Sequence, residues 1–193
     1  MNIQTTITRA NDGTALTTPT PRRLYVASLA AYNNGIHYGK WINVSTNPAV
    51  MQLEITNMLA VAPVAGDEYT IHAHEGYPEG VISEYAGLDT IAEIESLLTD
   101  EPNDPTLAMM VLSDLCGDLD HTRKILDNYI GNYPSVEHFA EDYWCLALAA
   151  TPAEILPHVD LESLVNGEVL TGNLRIYNLV VDNEDCYHVF ANC

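Results

Sequence analysis

Three groups of side chains in this chain have types and spacings that support chemistry. His72-x-His74-Glu75 places two imidazoles on one face of an extended segment. With Glu75 and a distant carboxylate as further ligands, they would form the site of a metal-dependent enzyme. Asp118-Leu119-Asp120-His121 alternates acids, but it lacks the ligand spacing and the closing Glu of a calcium loop. Cys145 follows Trp144 in an apolar helical run, which reads as a buried thiol and not as a nucleophile. GxSxG, Walker-type, GxGxxG and HExxH patterns are missing. A strand edge with two histidines is more often plain polar surface, so the metal enzyme stands as an alternative. No catalytic constellation and no cofactor are expected.

Negative charge is the larger chemical signal. Between Trp41 and His121 there is no Lys or Arg, while Asp and Glu occur fifteen times. From Glu54 to the end there are 26 acids and 3 bases, whereas the first 53 residues carry one acid and four bases. The total is −20. Such an excess destabilises a compact chain by self-repulsion, and a partner that seeks anionic charge explains it. Nucleic acid is excluded as that partner, since almost nothing is present to neutralise phosphates. A basic protein surface fits, and the DNA-binding grooves of proteins are the largest class of those. Adaptation to high salt spreads acids along a whole chain, which is not the pattern of the first 53 residues.

The acids sit on a folded object. Hydrophobic residues make up 47% of the chain, and eleven Tyr and two Trp are too many for a disordered acidic tail. No run approaches a membrane span, and no basic stretch leads into an apolar one at the N-terminus. Cys116, Cys145, Cys186 and Cys193 form no CxxC pair and read as reduced thiols of a cytoplasmic protein.

The elements that carry these residues are expected in four parts. Residues 1–21, rich in Thr, read as a flexible arm. Residues 22–86 read as a small ββαβ domain. Its strands begin at Leu24, Lys40 and Glu68, with a loop through Asn33-Asn34-Gly35 and a helix opening at Asn47-Pro48. Residues 87–150 read as a central helical bundle of four amphipathic helices. The first has Thr90–Glu93 capping-box spacing and Ile91, Ile94, Leu97 and Leu98 inward. The second starts at Asp104-Pro105 and ends at Gly117, and the third runs from Leu119 to Gly131. The fourth starts at Pro134-Ser135 with Val136, Phe139, Tyr143 and Leu146 inward. Residues 151–193 read as a C-terminal α+β domain. It has a short helix from Asp160 to Asn166-Gly167 and a terminal β-hairpin turning at Asp182-Asn183-Glu184-Asp185.

Two acid pairs, Glu137/Glu141 and Asp114/Asp118, have the spacing that lines up charges on one helical ridge. Like charges there cost an isolated helix a few tenths of a kcal/mol, about 0.2–0.5 per pair. Selection for stability alone would place Lys among them. B-DNA carries one charge per roughly 1.7 Å, so twenty charges correspond to roughly 34 Å of duplex.

Particular segments carry a family resemblance. Arg23-Leu24-Tyr25-Val26-Ala27-Ser28-Leu29, Tyr32-Asn33-Asn34-Gly35 and Gly39-Lys40-Trp41-Ile42 resemble the opening signature of the ArdA antirestriction family. Glu68–Pro78, Pro134–Glu141 and Leu161 through Tyr187-His188-Val189-Phe190 are similar to later family segments, although His74 stands where an acid is usual. The resemblance implies an elongated, three-part α+β protein that dimerises through its C-terminal part and mimics bent B-DNA. It implies binding in the groove of type I restriction–modification enzymes, which protects incoming plasmid, transposon or phage DNA. On that basis Glu93, Glu95, Asp100, Glu101, Asp104, Asp114, Asp118, Asp120, Glu137, Glu141 and Asp142 are expected as phosphate surrogates. An acidic adaptor for another basic protein shares the same charge signature and is a second alternative.

Overall fold

The computed structural model describes residues 8–10, 21–99, 104–181 and 184–192. From the N-terminus these form β1 (Thr8–Ala10), β2 (Arg23–Ser28), α1 (Leu29–Asn33), β3 (Gly39–Asn43), α2 (Pro48–Ala60), β4 (Tyr69–Glu75), α3 (Leu88–Thr99) and α4 (Pro105–Asp114). There follow α5 (Leu119–Asp127), β5 (Tyr129–Tyr133), α6 (Val136–Tyr143), α7 (Cys145–Ala149), a 3-10 turn at Leu156–His158, α8 (Leu161–Leu170), β6 (Leu174–Val181) and β7 (Glu184–Ala191). The class is α+β, as the sequence indicates. The described residues fall into two compact units: one within Leu16–Thr122, the other within Arg123–Cys193 together with Thr8–Ala10. Among the described residues no helix is long and apolar enough to cross a membrane.

In the first unit, Leu24 and Val26 alternate with Tyr25 and are fully buried, so β2 becomes the central strand of a sheet ordered β3-β2-β4. Both neighbours run antiparallel to it. The elements follow in the order β2, α1, β3, α2, β4, with α1 standing where a loop is expected. Ser28 accepts a hydrogen bond from the Ala31 amide at 3.3 Å and opens the five-residue α1. Asn47 caps α2 with Pro48 in its first turn, and Met51, Ile55 and Met58 at three- and four-residue steps are its buried stripe.

Ile91, Ile94, Leu97 and Leu98 of α3 are buried as their spacing demands. The helix begins earlier than the capping box suggests. Its first turn gains the buried Leu88, and the Ile91 amide already donates to the Gly87 carbonyl at 3.1 Å, which leaves Thr90 inside the helix. Asp104 caps α4 as expected, with Leu107 and Val111 buried and Met110 and Leu115 half-buried.

The second unit has a four-stranded sheet ordered β1-β6-β7-β5. Its β6–β7 hairpin is the expected one; Asp182 and Asn183 of the expected turn lie outside the described residues, while Glu184 and Asp185 already pair with Val181 and Val180. Phe139, Ala140 and Val165 on α6 and α8 pack against Leu174, Ile176 and Val189 of the sheet. Helix α8 continues past Asn166-Gly167 to Leu170, and Gly172 at φ +77° turns the chain into β6.

Several expectations are corrected here. The third helix does not reach Gly131. It stops at Asp127, the Asn128 side chain donates to the Lys124 carbonyl at 2.6 Å, and Tyr129–Tyr133 pairs with β7. Tyr143 and Leu146 are exposed, because the chain leaves helical geometry at Trp144 and restarts as α7, which buries no residue. Cys145 on α7 is likewise exposed, not buried. Part of the arm is ordered: Thr8–Ala10 runs parallel to β6 as an edge strand. Residues 1–7 and 11–20 lie outside the described residues.

The four central helices are also distributed differently from a single bundle over residues 87–150. Helix α3 packs on α2 and α4, whereas α6 packs on α8, and the boundary between units falls inside α5.

Gly117 closes the turn from α4 to α5 at φ +85°, after Cys116 at φ +51°. A Cβ on Gly117 would meet the Val81 carbonyl oxygen at 2.7 Å. Gly117→Ala combines backbone strain with a clash against main chain, so it is expected to destabilise the first unit by about 1–3 kcal/mol. Urea unfolding followed by circular dichroism measures this; an unchanged midpoint refutes the close approach.

Candidate functional site

The few cations determine what charge is left to present. Arg22 makes two hydrogen bonds to the Glu95 carboxylate on α3, 2.6 and 2.9 Å long. The Tyr77 hydroxyl donates to the same carboxylate at 2.9 Å. Side-chain exposure is 18% for Arg22 and 12% for Glu95, so the pair is largely withdrawn from water. The Glu95 hydrogen bond raises the Arg22 pKa above its ordinary value. Burial first, and then the charge of Glu95, push the Tyr77 phenol well above its ordinary range. Arg23 donates to Glu75 at 3.0 Å and lies 5.4 Å from the Trp41 ring centre. Lys40 donates to Glu54 at 3.2 Å. Three cations of the first unit thus each engage a carboxylate.

The remaining expected acids lie mostly at the surface, and they are divided between the two units. In the first, Glu93, Asp104, Asp114, Asp118 and Asp120 are exposed; in the second, Glu137, Glu141 and Asp142 are. Asp100 and Glu101 lie outside the described residues. Glu95 is the exception, being engaged with Arg22 and Tyr77 and turned away from solvent. It does not fit the role of a presented charge.

Several of these acids also act locally. Asp104 accepts from the Thr106 and Leu107 amides at 2.8 and 3.1 Å. Asp118 accepts from the His121 amide at 3.0 Å, and this bond lowers its pKa. Glu137 is lowered by its own backbone amide and by the Ser135 hydroxyl. Asp142 accepts from the Tyr133 hydroxyl at 3.1 Å.

Of the two expected ridges, only Glu137/Glu141 shares a helix. Asp114 ends α4 and Asp118 stands before α5, with the Cys116-Gly117 turn between them. Further exposed acids outside the expected set include Asp67, Glu68, Glu79, Glu84 and Asp89. Asp89 stands four residues before Glu93 on α3, a ridge spacing legible in the sequence, while Asp67, Glu68, Glu79 and Glu84 fall outside helices and are marked only by the run of acids.

The histidine pair is arranged otherwise than a metal site needs. The His72 ring meets Tyr32 edge-on at 5.2 Å, and His74 meets Tyr77 at 6.2 Å. Glu75, the nearest candidate third ligand, is held by Arg23. Among the described residues no group of three or more His, Cys, Asp or Glu is placed to hold a metal ion.

Removing one member of the Arg22–Glu95 pair leaves the other charge partly buried and unpaired. Glu95→Gln is therefore expected to destabilise the first unit by about 2 kcal/mol, below the roughly 3–5 kcal/mol of a fully buried pair. A Glu93→Gln variant serves as the exposed control and is expected to change stability by less than about 0.5 kcal/mol. Equal urea midpoints for the two variants would contradict the buried network.

A family model described as antirestriction protein (ArdA) matches residues 24–177. No curated protein matches the chain significantly.

Proposed function

The chain belongs to the ArdA family of antirestriction proteins, and we propose that it blocks the DNA-binding groove of type I restriction–modification enzymes by presenting carboxylates in place of DNA phosphates. The observation that carries this reading is the disposition of charge. Arg22, Arg23 and Lys40 are each engaged with an acid, while Glu93, Asp104, Asp114, Asp118, Asp120, Glu137, Glu141 and Asp142 face solvent. With Asp100 and Glu101 in the connection between α3 and α4, these form the proposed phosphate surrogates. Glu95 is left out of the set.

Opposite charge steers the encounter with the Lys and Arg of the groove and makes association sensitive to salt. The action is occupancy of the groove, with no bond made or broken, so the protein works stoichiometrically and not as an enzyme. It has no affinity for nucleic acid itself and acts in the cytoplasm, where restriction enzymes meet incoming DNA of mobile elements.

In a restriction assay on unmodified plasmid, the protein is expected to inhibit a type I enzyme near equimolar ratio. Added DNA and raised salt should both relieve the inhibition. Each single Asp→Asn or Glu→Gln change among the surrogates should alter inhibition little, because exposed charges contribute about 0.2–1 kcal/mol each. Joint replacement of Glu93, Asp104, Asp114 and Asp120 should weaken it on the order of tenfold or more, since four such contributions sum to about 0.8–4 kcal/mol. If a single exposed acid abolishes inhibition while the fold survives, a discrete hot spot replaces the distributed mimic. Failure to inhibit several type I enzymes favours an acidic adaptor for another basic protein.

The second part of the proposal is a homodimer through the C-terminal unit. Helix α7 and the turn after it expose Leu146 at 85%, Ile155 at 52% and Leu156 at 39%. Apolar side chains left in water on consecutive short elements suit burial against a second copy. Leu146→Lys is expected to shift the protein from dimer to monomer in sedimentation velocity at micromolar concentration. A monomeric parent protein under the same conditions rules the dimer out.

A further inference from the structure

One cluster of nucleophilic and titratable side chains lies outside the acidic surface. On β7, Cys186 and His188 are two residues apart and so share a sheet face. The Cys186 Sγ is 3.5 Å from His188 Nε2. The other ring nitrogen, Nδ1, is 3.0 Å from the Tyr129 hydroxyl of β5. The Asn132 side-chain amide, also on β5, donates toward the same Sγ at 3.6 Å. In the register, Leu179 and Tyr177 of β6 stand opposite Cys186 and His188, so β6 brings no charged group opposite the pair. His188 is buried and Cys186 half-buried. A thiol next to an imidazole whose far nitrogen is held by a third group is the arrangement that activates a sulfur nucleophile.

We propose that Cys186 is a modifiable thiol, with His188 as its proton acceptor and Tyr129 as a positioning residue, and that it forms a mixed disulfide with low-molecular-mass disulfides. With His188 Nδ1–H donating to the Tyr129 oxygen, Nε2 presents a lone pair to the Cys186 S–H. The proton passes to Nε2, and the imidazolium and the Asn132 amide then hold the thiolate. The thiolate attacks one sulfur of the incoming disulfide. A new S–S bond forms, the old one breaks, and the released thiolate takes the proton from His188. The protein sulfur is oxidised by one level, the departing sulfur leaves with the electron pair of the old S–S bond and is reduced by one level, and no further reagent is needed. The other two described cysteines, Cys116 and Cys145, are exposed free thiols and provide internal controls.

The test is alkylation of the full-length protein by iodoacetamide, a neutral reagent indifferent to the charge of the protein, with each cysteine quantified by peptide mass spectrometry. At pH 7, Cys186 should react roughly tenfold faster than Cys145 despite its lower exposure. That advantage should narrow as pH rises to about 10, where ordinary thiols are ionised as well. In H188Q it should disappear, and in Y129F it should shrink; oxidised glutathione should label Cys186 first. If H188Q fails to fold by circular dichroism, Y129F, which keeps the ring, decides the matter. A Cys186 rate at or below that of Cys145, or an advantage that persists in the folded variants, overturns the proposal.

Discussion

The first unit depends on the Arg22 guanidinium and the groups gathered around it. Its side chain reaches Glu95 on α3, 73 positions away, and the same carboxylate receives the Tyr77 hydroxyl. Its backbone carbonyl accepts the Val44 amide at 3.0 Å, which ties the end of β3 to the start of β2. Gly76, at φ +81°, lies so close that a Cβ there would come within 2.7 Å of the Arg22 Cγ. One residue therefore joins β2, β3, the turn after β4 and α3. Two fork-like bonds to one carboxylate fix direction as well as distance, which a lysine in the same place would not do. Helix α3 packs on α2 and α4, and the ion pair ties it to the start of β2.

The same interaction bears on charge. A chain with 7 cations and 27 acids has no surplus cation, so every inward placement of a base changes the field outside. Arg22, Arg23 and Lys40 are each bound to an acid of their own unit. Each such pair is close to neutral at a distance, whereas acids on α3, α4, α5 and α6 stand at the surface. Pairing of Arg22, Arg23 and Lys40 inside the first unit thus gives stability locally and leaves acids in large excess among the exposed charges, the property on which the proposed competition for a basic groove rests.

Much of this could be read from the sequence, for physical reasons. Asn47-Pro48 and Asp104-Pro105 announce helix starts because cap and proline act within a few residues. The α3 stripe and the β6–β7 hairpin follow from local periodicity. The five residues of β5 could not be read that way, since Tyr129–Tyr133 obtains its hydrogen bonds from β7, dozens of residues later in the chain. Helix α1 is too short to show a period. The role of Glu95 is hidden for a related reason. Its place beside the Ile91–Leu98 stripe suggests an outward charge, and only the tertiary fold brings Arg22 to it. The Cys186–His188 pair is not legible because alternation in Tyr187-His188-Val189-Phe190 marks only a hairpin strand, and Tyr129, its third member, follows a helical pattern in the sequence.

A fold with this much like charge still has to hold together, and the helix ends show how part of the repulsion is offset. Asp104 stands at the start of α4, Asp118 before α5, Glu137 in the first turn of α6 and Asp160 at the cap of α8. At a helix N-terminus unpaired amides and the aligned peptide dipoles favour a negative charge. The pKa values of Asp118, Glu137 and Asp160 are lowered for this reason, each chiefly by a backbone amide donating to the carboxylate. The opposite ends are left without compensation: α2, α3, α4, α6 and α8 have no basic residue in the last turn. A sequence selected for stability alone would use both ends of the dipole. This one uses mainly the end that accepts acids, with Lys124 in the last turn of α5 as an exception, so charge that would strain the fold elsewhere is seated where the backbone stabilises it and where it still faces solvent.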